Sequence, residues 1–330
     1  VDNFGDVGLC WRLACQLVRE RGVALRLWID DLESFRRLCP EVAVGAPAQR
    51  VRGVEVRHWI EPIVETRPGE LVIEAFGCGL PAGFLDAMAR RHPAPLWIHL
   101  EHLSAEGWVA GCHRLLSPHP RLPLSAIFFF PGFVDGSGGV ARESDLALRR
   151  DEFRADPGAL AAFWNRLGVP AAPDRLNVSL FCYPDAPAAD LLEAWAASRT
   201  PIRCLLPDTP AARGVAAHLG SDLRPRGPLR RGNLEVWPIP FLDQDEYDRL
   251  LWACDANFVR GEDSFVRAQW ALRPFVWQAY PQSGSAHHAK VAAFLDLYCD
   301  GLEPAAAAGM RQLWTGWNGM TAPAAGRWEA

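Results

Sequence analysis

Two aspartates, Asp2 and Asp6, flank Asn3-Phe4-Gly5 in the opening VDNFGDVG, just ahead of a strongly apolar run. Two readings are open. The acids cap the helix that follows, at the end where negative charge suits the helix dipole. Or they face a ligand site, one carboxylate taking a proton from a nucleophile while the other positions it. Gly5 and Gly8 then let reactants come close to the backbone. A second cluster is Arg260-Gly261-Glu262-Asp263-Ser264, between a β-rich run and a helical one. Its acids and serine serve as N-caps, or the helix-start amides and the Ser264 hydroxyl grip a diphosphate beside a carboxylate that binds sugar hydroxyls. A third is Phe181-Cys182-Tyr183 at a strand end. Alternation puts both rings on one side, either in the core or as a platform for a nucleobase.

Other motifs carry less. GCGLPAG (77–83) has the spacing G-x-G-x-x-x-G with a proline inside, and reads as a tight strand-to-helix turn rather than a dinucleotide loop. His99 and His102, in and just after a strand, point to opposite sides and lack a spaced second pair, so no metal site is expected. The His287-His288 pair reads as a helix start or surface pair. Neither a G-x-S-x-G elbow nor a Walker loop occurs.

These loops lie between alternating strands and helices. Apolar spacing predicts a helix over 9–21 with Gly22 as its C-cap, then a strand at 23–29. Further strands are expected at 54–59, 70–76, 95–100 and 125–130, with a helix at 81–91. The charged stretch 142–154 reads as irregular. Alternation resumes with strands at 175–181, 201–206, 234–239, 256–259 and 274–278. Helices are expected at 159–167, 188–197, 211–219, 244–253, 264–272 and 287–299. Such alternation implies parallel sheets covered on both faces, with ligands at the carboxyl ends of the strands. No apolar strand precedes Asp2, and the reading expects one to be missing from the sequence. The expected domains are 1–155 and 156–330, with the Trp-rich tail packing back on the first.

Composition narrows the function classes. The chain has 330 residues, 49% of them hydrophobic, and a net charge of −5 with a pI near 6.0. That balance argues against a protein that grips nucleic-acid backbones. No apolar run reaches the roughly 18–20 residues that span a bilayer. Nine scattered cysteines suit a reducing, cytoplasmic setting better than a disulfide framework.

Taken together, DNFGDVGLCWRLACQL, LWIDDLESF, LSAEGWV, FFFPGF and CDANFVRGEDSFVRAQWALRPFVWQAYPQ resemble one family, EarP. Its members are protein-arginine rhamnosyltransferases of bacterial translation elongation factor P. The resemblance implies a GT-B glycosyltransferase, α/β, with two Rossmann-like domains and an interdomain cleft. It implies inverting, metal-independent transfer of L-rhamnose from dTDP-β-L-rhamnose to an arginine guanidinium. That modification would activate elongation factor P for ribosomes stalled at polyproline. It requires no cofactor, nucleic acid or membrane. By resemblance the catalytic aspartates fall on Asp2 and Asp6, with Asp6 as general base. Donor-binding positions fall on Phe181, Tyr183, Gln244, Glu262, Asp263 and Ser264. Arg260 is added by its position as a diphosphate partner. The pattern departs at His99 and His102, where the family usually has Asn and Tyr, and at Gly79, where it tends to have Glu. The alternatives are a GT-B transferase with another sugar or acceptor, a non-catalytic GT-B binding module, and a dehydrogenase.

Overall fold

The computed structural model describes residues 4–60, 67–172, 174–220 and 227–321. The chain divides into two compact units, 1–141 and 142–330.

The first unit opens with α1 (Gly5–Arg21), then β1 (Arg26–Ile29), α2 (Leu32–Leu38), β2 (Ala48–Val51) and β3 (Val54–His58). There follow β4 (Leu71–Ala75), α3 (Ala82–Arg90), β5 (Leu96–Leu100), α4 (Val109–Cys112), β6 (Leu116–Pro118) and β7 (Ser125–Phe129). Among the described residues these strands form two sheets, ordered β1-β3-β2 and β4-β5-β7-β6. The pairs β1–β3, β4–β5 and β5–β7 are parallel, while β2 and β6 add antiparallel edges. Trp11 and Ala14 of α1 join Ile29, Phe35, Val54 and Val56 in one core. Val72, Met88, Trp97 and Ala126 form another. Helix α1 starts four residues before the predicted Leu9, at Gly5, and ends as predicted at Gly22, in the left-handed conformation with its N–H on the Val18 carbonyl.

The second unit begins with α5 (Leu146–Ala155), α6 (Pro157–Arg166), β8 (Leu176–Leu180), α7 (Ala188–Ala197), β9 (Ile202–Pro207) and α8 (Pro210–His218). It continues with β10 (Leu229–Arg231), β11 (Leu234–Ile239), α9 (Gln244–Ala253), β12 (Ala256–Arg260), α10 (Asp263–Ala271), β13 (Phe275–Gln278), α11 (His287–Cys299) and α12 (Pro304–Trp317). Its sheet runs β10-β11-β9-β8-β12-β13. All neighbours are parallel except the edge pair β10–β11. The chain steps from β8 to β9 and β11 on one side, then crosses to β12 and β13 on the other. The order therefore reverses between β8 and β12, and that crevice is where an open α/β sheet binds ligands.

Helix α5 replaces the irregular stretch expected at 142–154. Its charge is used inside the unit. Arg150 donates to the Trp270 carbonyl at 2.8 Å and Arg154 to the Trp252 carbonyl at 3.2 Å, near the C-terminal ends of α10 and α9. This is why residues 146–155 group with the second unit and not, as expected, with the first. The tail helix α12 packs on β13 and α11 of its own unit. There Asn318 donates to the Trp277 carbonyl at 2.8 Å and accepts from the Ala279 N–H at 3.0 Å.

Candidate active site residues in the two units

The loops that follow β8 and β12 flank the reversal point of the second sheet. Phe181 leaves β8 with its N–H on the Phe258 carbonyl, 3.0 Å away. Tyr183 is fixed by its N–H, which donates to Gln278 Oε1 at 2.8 Å. The two rings do share a side, as the alternation required. Between them lies the Arg260 guanidinium, 4.6 Å from the Phe181 centroid and 4.3 Å from that of Tyr183. Cation–π attraction thus places a permanent positive charge at the mouth of the crevice. Tyr247 packs against Phe181 at 5.5 Å and Tyr280 against Tyr183 at 5.7 Å. Burial raises the Tyr247 phenol above its ordinary range, with Asp263 adding to the rise and Ser264 and Arg260 opposing it. The same cause pushes the Cys182 thiol up to about 12, against the pull of Arg260.

Gly261 turns the chain after β12 at φ +63°, a conformation that suits glycine. Its carbonyl accepts from Trp277 Nε1 at 2.8 Å. Ser264 closes the turn. Its hydroxyl donates to the Arg260 carbonyl and accepts from the Arg260 N–H at 3.0 Å. Asp263 and Gln244, the first residues of α10 and α9, are both buried and joined by a 3.1 Å hydrogen bond from Gln244 Nε2. Glu262 accepts from Lys290 Nζ at 2.7 Å. Behind these contacts Arg267 forks onto Asp248, at 2.9 and 2.5 Å, and reaches Glu143 at 2.6 Å, all three buried. That fork ties α10 to α9, so the two helix starts are held in register.

In the first unit Asp6 sits in the first turn of α1. The residue before the helix, Phe4, caps without a side-chain bond, so Asp6 is not the N-cap. His102 Nδ1 lies 3.9 Å from Asp6 Oδ1. The His102 ring stacks on Phe76, 4.3 Å away and within 3° of parallel. Phe76 itself adopts φ +57° in the turn after β4. Nearby, buried Glu74 accepts from the Gly79 N–H at 3.0 Å and from Trp97 Nε1 at 3.2 Å, with His99 Nδ1 at 3.4 Å. His99 and His102 thus serve different carboxylates, as opposite sides of a strand end require. Burial, then the negative charge of Asp6, lifts the Cys10 thiol to about 12. Among the described residues no group of three or more His, Cys, Asp or Glu is placed to hold a metal ion. No helix among them is long and apolar enough to cross a membrane.

Comparison with known proteins shows the family. The family model described as "Elongation-Factor P (EF-P) rhamnosyltransferase EarP" matches residues 1–330. The chain belongs to the EarP family. It is 47% identical over 319 residues to a protein-arginine rhamnosyltransferase of Pseudomonas putida, covering 96% of this chain and 84% of that one. A protein-arginine rhamnosyltransferase of Pseudomonas aeruginosa is 44% identical over 330 residues, covering 100% and 87%. A solved structure, described as the structural basis for EarP-mediated arginine glycosylation of translation elongation factor EF-P, superposes with a TM-score of 0.62 at 34% identity, covering 97% of this chain and 82% of that one. The fold class is the GT-B type of α/β architecture that the sequence led us to expect.

Of the positions that the EarP resemblance assigns, Phe181 and Tyr183 meet around Arg260, and Gln244 meets Asp263. Ser264 engages the backbone of Arg260, and Glu262 engages Lys290. Asp6 is found beside His102, and Asp2 lies outside the described residues. Sequence reasoning missed Gln278, Tyr247, Lys290 and the Arg267 fork. One signal was available: Lys290 is the single lysine among 34 basic residues, and it is spent on Glu262. The others become visible only when distant strands meet.

Proposed function

We propose that this chain transfers L-rhamnose from dTDP-β-L-rhamnose to an arginine guanidinium of translation elongation factor P. The transfer inverts the anomeric centre and needs no metal, and the modified factor then acts on ribosomes stalled at polyproline. The observation that carries the donor half of this reading is the Arg260 guanidinium held between Phe181 and Tyr183 at the sheet reversal point. A dianionic diphosphate would meet a fixed cation there and, next to it, the start of α10, whose leading N–H groups point along the dipole. Such preorganised charge stabilises a leaving diphosphate without reorganisation. Gln244 and Asp263, already bonded to each other, offer polar atoms for the ribose or the sugar.

The acceptor half rests on family membership and on Asp6. A guanidinium stays protonated near neutral pH, and its nitrogens are then poor nucleophiles. Asp6, with Asp2 as its partner acid, would orient it and take one proton as the C–N bond forms. Titration calorimetry with dTDP-β-L-rhamnose tests the donor assignment. The donor should bind in the presence of chelator, and UDP-glucose should bind at least ten-fold more weakly. Equal affinity for both would favour a GT-B transferase with another nucleotide sugar. A proton spectrum of the product should show the α-linked sugar that inversion requires, and a β-linked one would contradict it.

A further inference from the structure

We propose that His102 accepts the proton that Asp6 takes from the acceptor guanidinium and returns it to solvent. The inference rests on Asp6 being the general base, as proposed above.

Three observations bring His102 to this role. Its Nδ1 faces Asp6 Oδ1 at 3.9 Å, a gap that one water or a small side-chain shift closes. Its ring orientation is fixed, lying flat on Phe76 at 4.3 Å and 3°. Phe76 is itself anchored, with its N–H on the Leu100 carbonyl at 2.8 Å, despite its positive φ. And the His102 side chain keeps 34% of its exposure against 20% for Asp6, so a proton has a route out.

The chemistry gives such a group a task in this chain. The C–N bond forms as the C–O bond to the diphosphate breaks, and the diphosphate keeps the electron pair. The nitrogen sheds one proton to Asp6. A carboxylic acid left beside a new cationic product must be reset before the next turnover. A neutral imidazole carrying its proton on Nε2 presents Nδ1 as the acceptor. Among the described residues, the titratable groups near this pair include Cys10 on α1, Cys78 after β4 with Asp30 acting on it, and Glu74 with His99 on the neighbouring strands. Both thiols are pushed upward by burial and stay neutral, and Glu74 is engaged by His99. His102 presents its imidazole to Asp6.

The test measures transfer by Asp6→Asn, His102→Ala and His102→Phe chains as a function of pH. Asp6→Asn should abolish transfer while donor binding persists. His102→Ala should lower kcat by about 10²-fold with an unchanged donor Kd, and added imidazole should restore the rate in proportion to its free-base form. The wild-type rate should fall on the acid side as the imidazole protonates and ceases to accept, and this limb should be absent in His102→Ala. His102→Phe keeps a ring on Phe76 and should be as slow as His102→Ala. Wild-type kcat in His102→Phe, or a slow His102→Ala that imidazole does not rescue, would overturn the relay and leave the base assignment standing. Full activity in Asp6→Asn would overturn both.

Discussion

Arg260 illustrates how one side chain acquires a role from its neighbours. An arginine at a strand end is ordinarily a solvated surface charge. Here two aromatic rings, each below 5 Å from its guanidinium, hold it at the crevice of the sheet. A cation over a desolvated ring is worth about 2 kcal/mol, and the same charge remains able to meet phosphate oxygens. Arg260→Met keeps the stem and removes the charge. It should raise the donor Kd by ten-fold or more, since a charge-assisted hydrogen bond contributes about 1.5–3 kcal/mol, and lower the melting temperature by a few degrees as the cation–π contacts are lost. An unaltered Kd by titration calorimetry would show that the donor bypasses this site. Much at this scale could be read from residue types: the spacing of Phe181 and Tyr183 gave their common side. What could not be read was that their shared space is filled by Arg260, because the two loops are far apart in the chain and are brought together by β8–β12 pairing.

Some helices and strands were legible to the residue. Helix α9 is one, with Asp243 accepting from the Glu246 N–H at 2.8 Å. Strand β11 and helices α7 and α11 are others. The edge strands β2, β6 and β10 were not, because they are short, carry polar or exposed residues, and exist only by pairing with a neighbour. Helix α5 was missed because its charge looked solvent-directed, whereas Arg150 and Arg154 bind the carbonyls that α9 and α10 leave unsatisfied. Two stability predictions belong here. Arg267→Met leaves Asp248 and Glu143 as buried acids without their fork, and should destabilise the second unit by about 3–5 kcal/mol in urea melts. Leu272 ends α10 at φ +50° with 63% exposure. Leu272→Gly relieves that conformation and should stabilise by up to about 1 kcal/mol. A loss of stability there would show that the Leu272 side chain packs to more effect than its exposure suggests.

Across the whole molecule, buried thiols and paired acids set the pH range of stability. Cys10 and Cys182 are raised to about 12 from 9.0 by burial, and Cys204 and Cys254 are raised further for the same reason. They stay neutral in the fold while the unfolded chain ionises, so their contribution is complete below pH 9.0 and declines above it. Asp31 is lowered from 3.8 by its bonds with Ser34. Glu55 is lowered from 4.5 because its arginine partners outweigh burial. Their contribution is present above those values and disappears as pH falls through them. Calorimetric melting should therefore show a plateau between about pH 5 and 9 that falls on both sides, and Cys204→Ala should flatten the alkaline fall. A chain equally stable at pH 8 and pH 11 would contradict this.

The function rests on one reaction, and the mass of its product tests it most directly. Elongation factor P should be incubated with this protein, dTDP-β-L-rhamnose and chelator, with Asp6→Asn in parallel, and its intact mass measured. The account predicts a gain of one deoxyhexose on a single arginine with the parent chain and no gain with Asp6→Asn. An unmodified factor in the presence of a chain that binds the donor, or equal modification by Asp6→Asn, would contradict it.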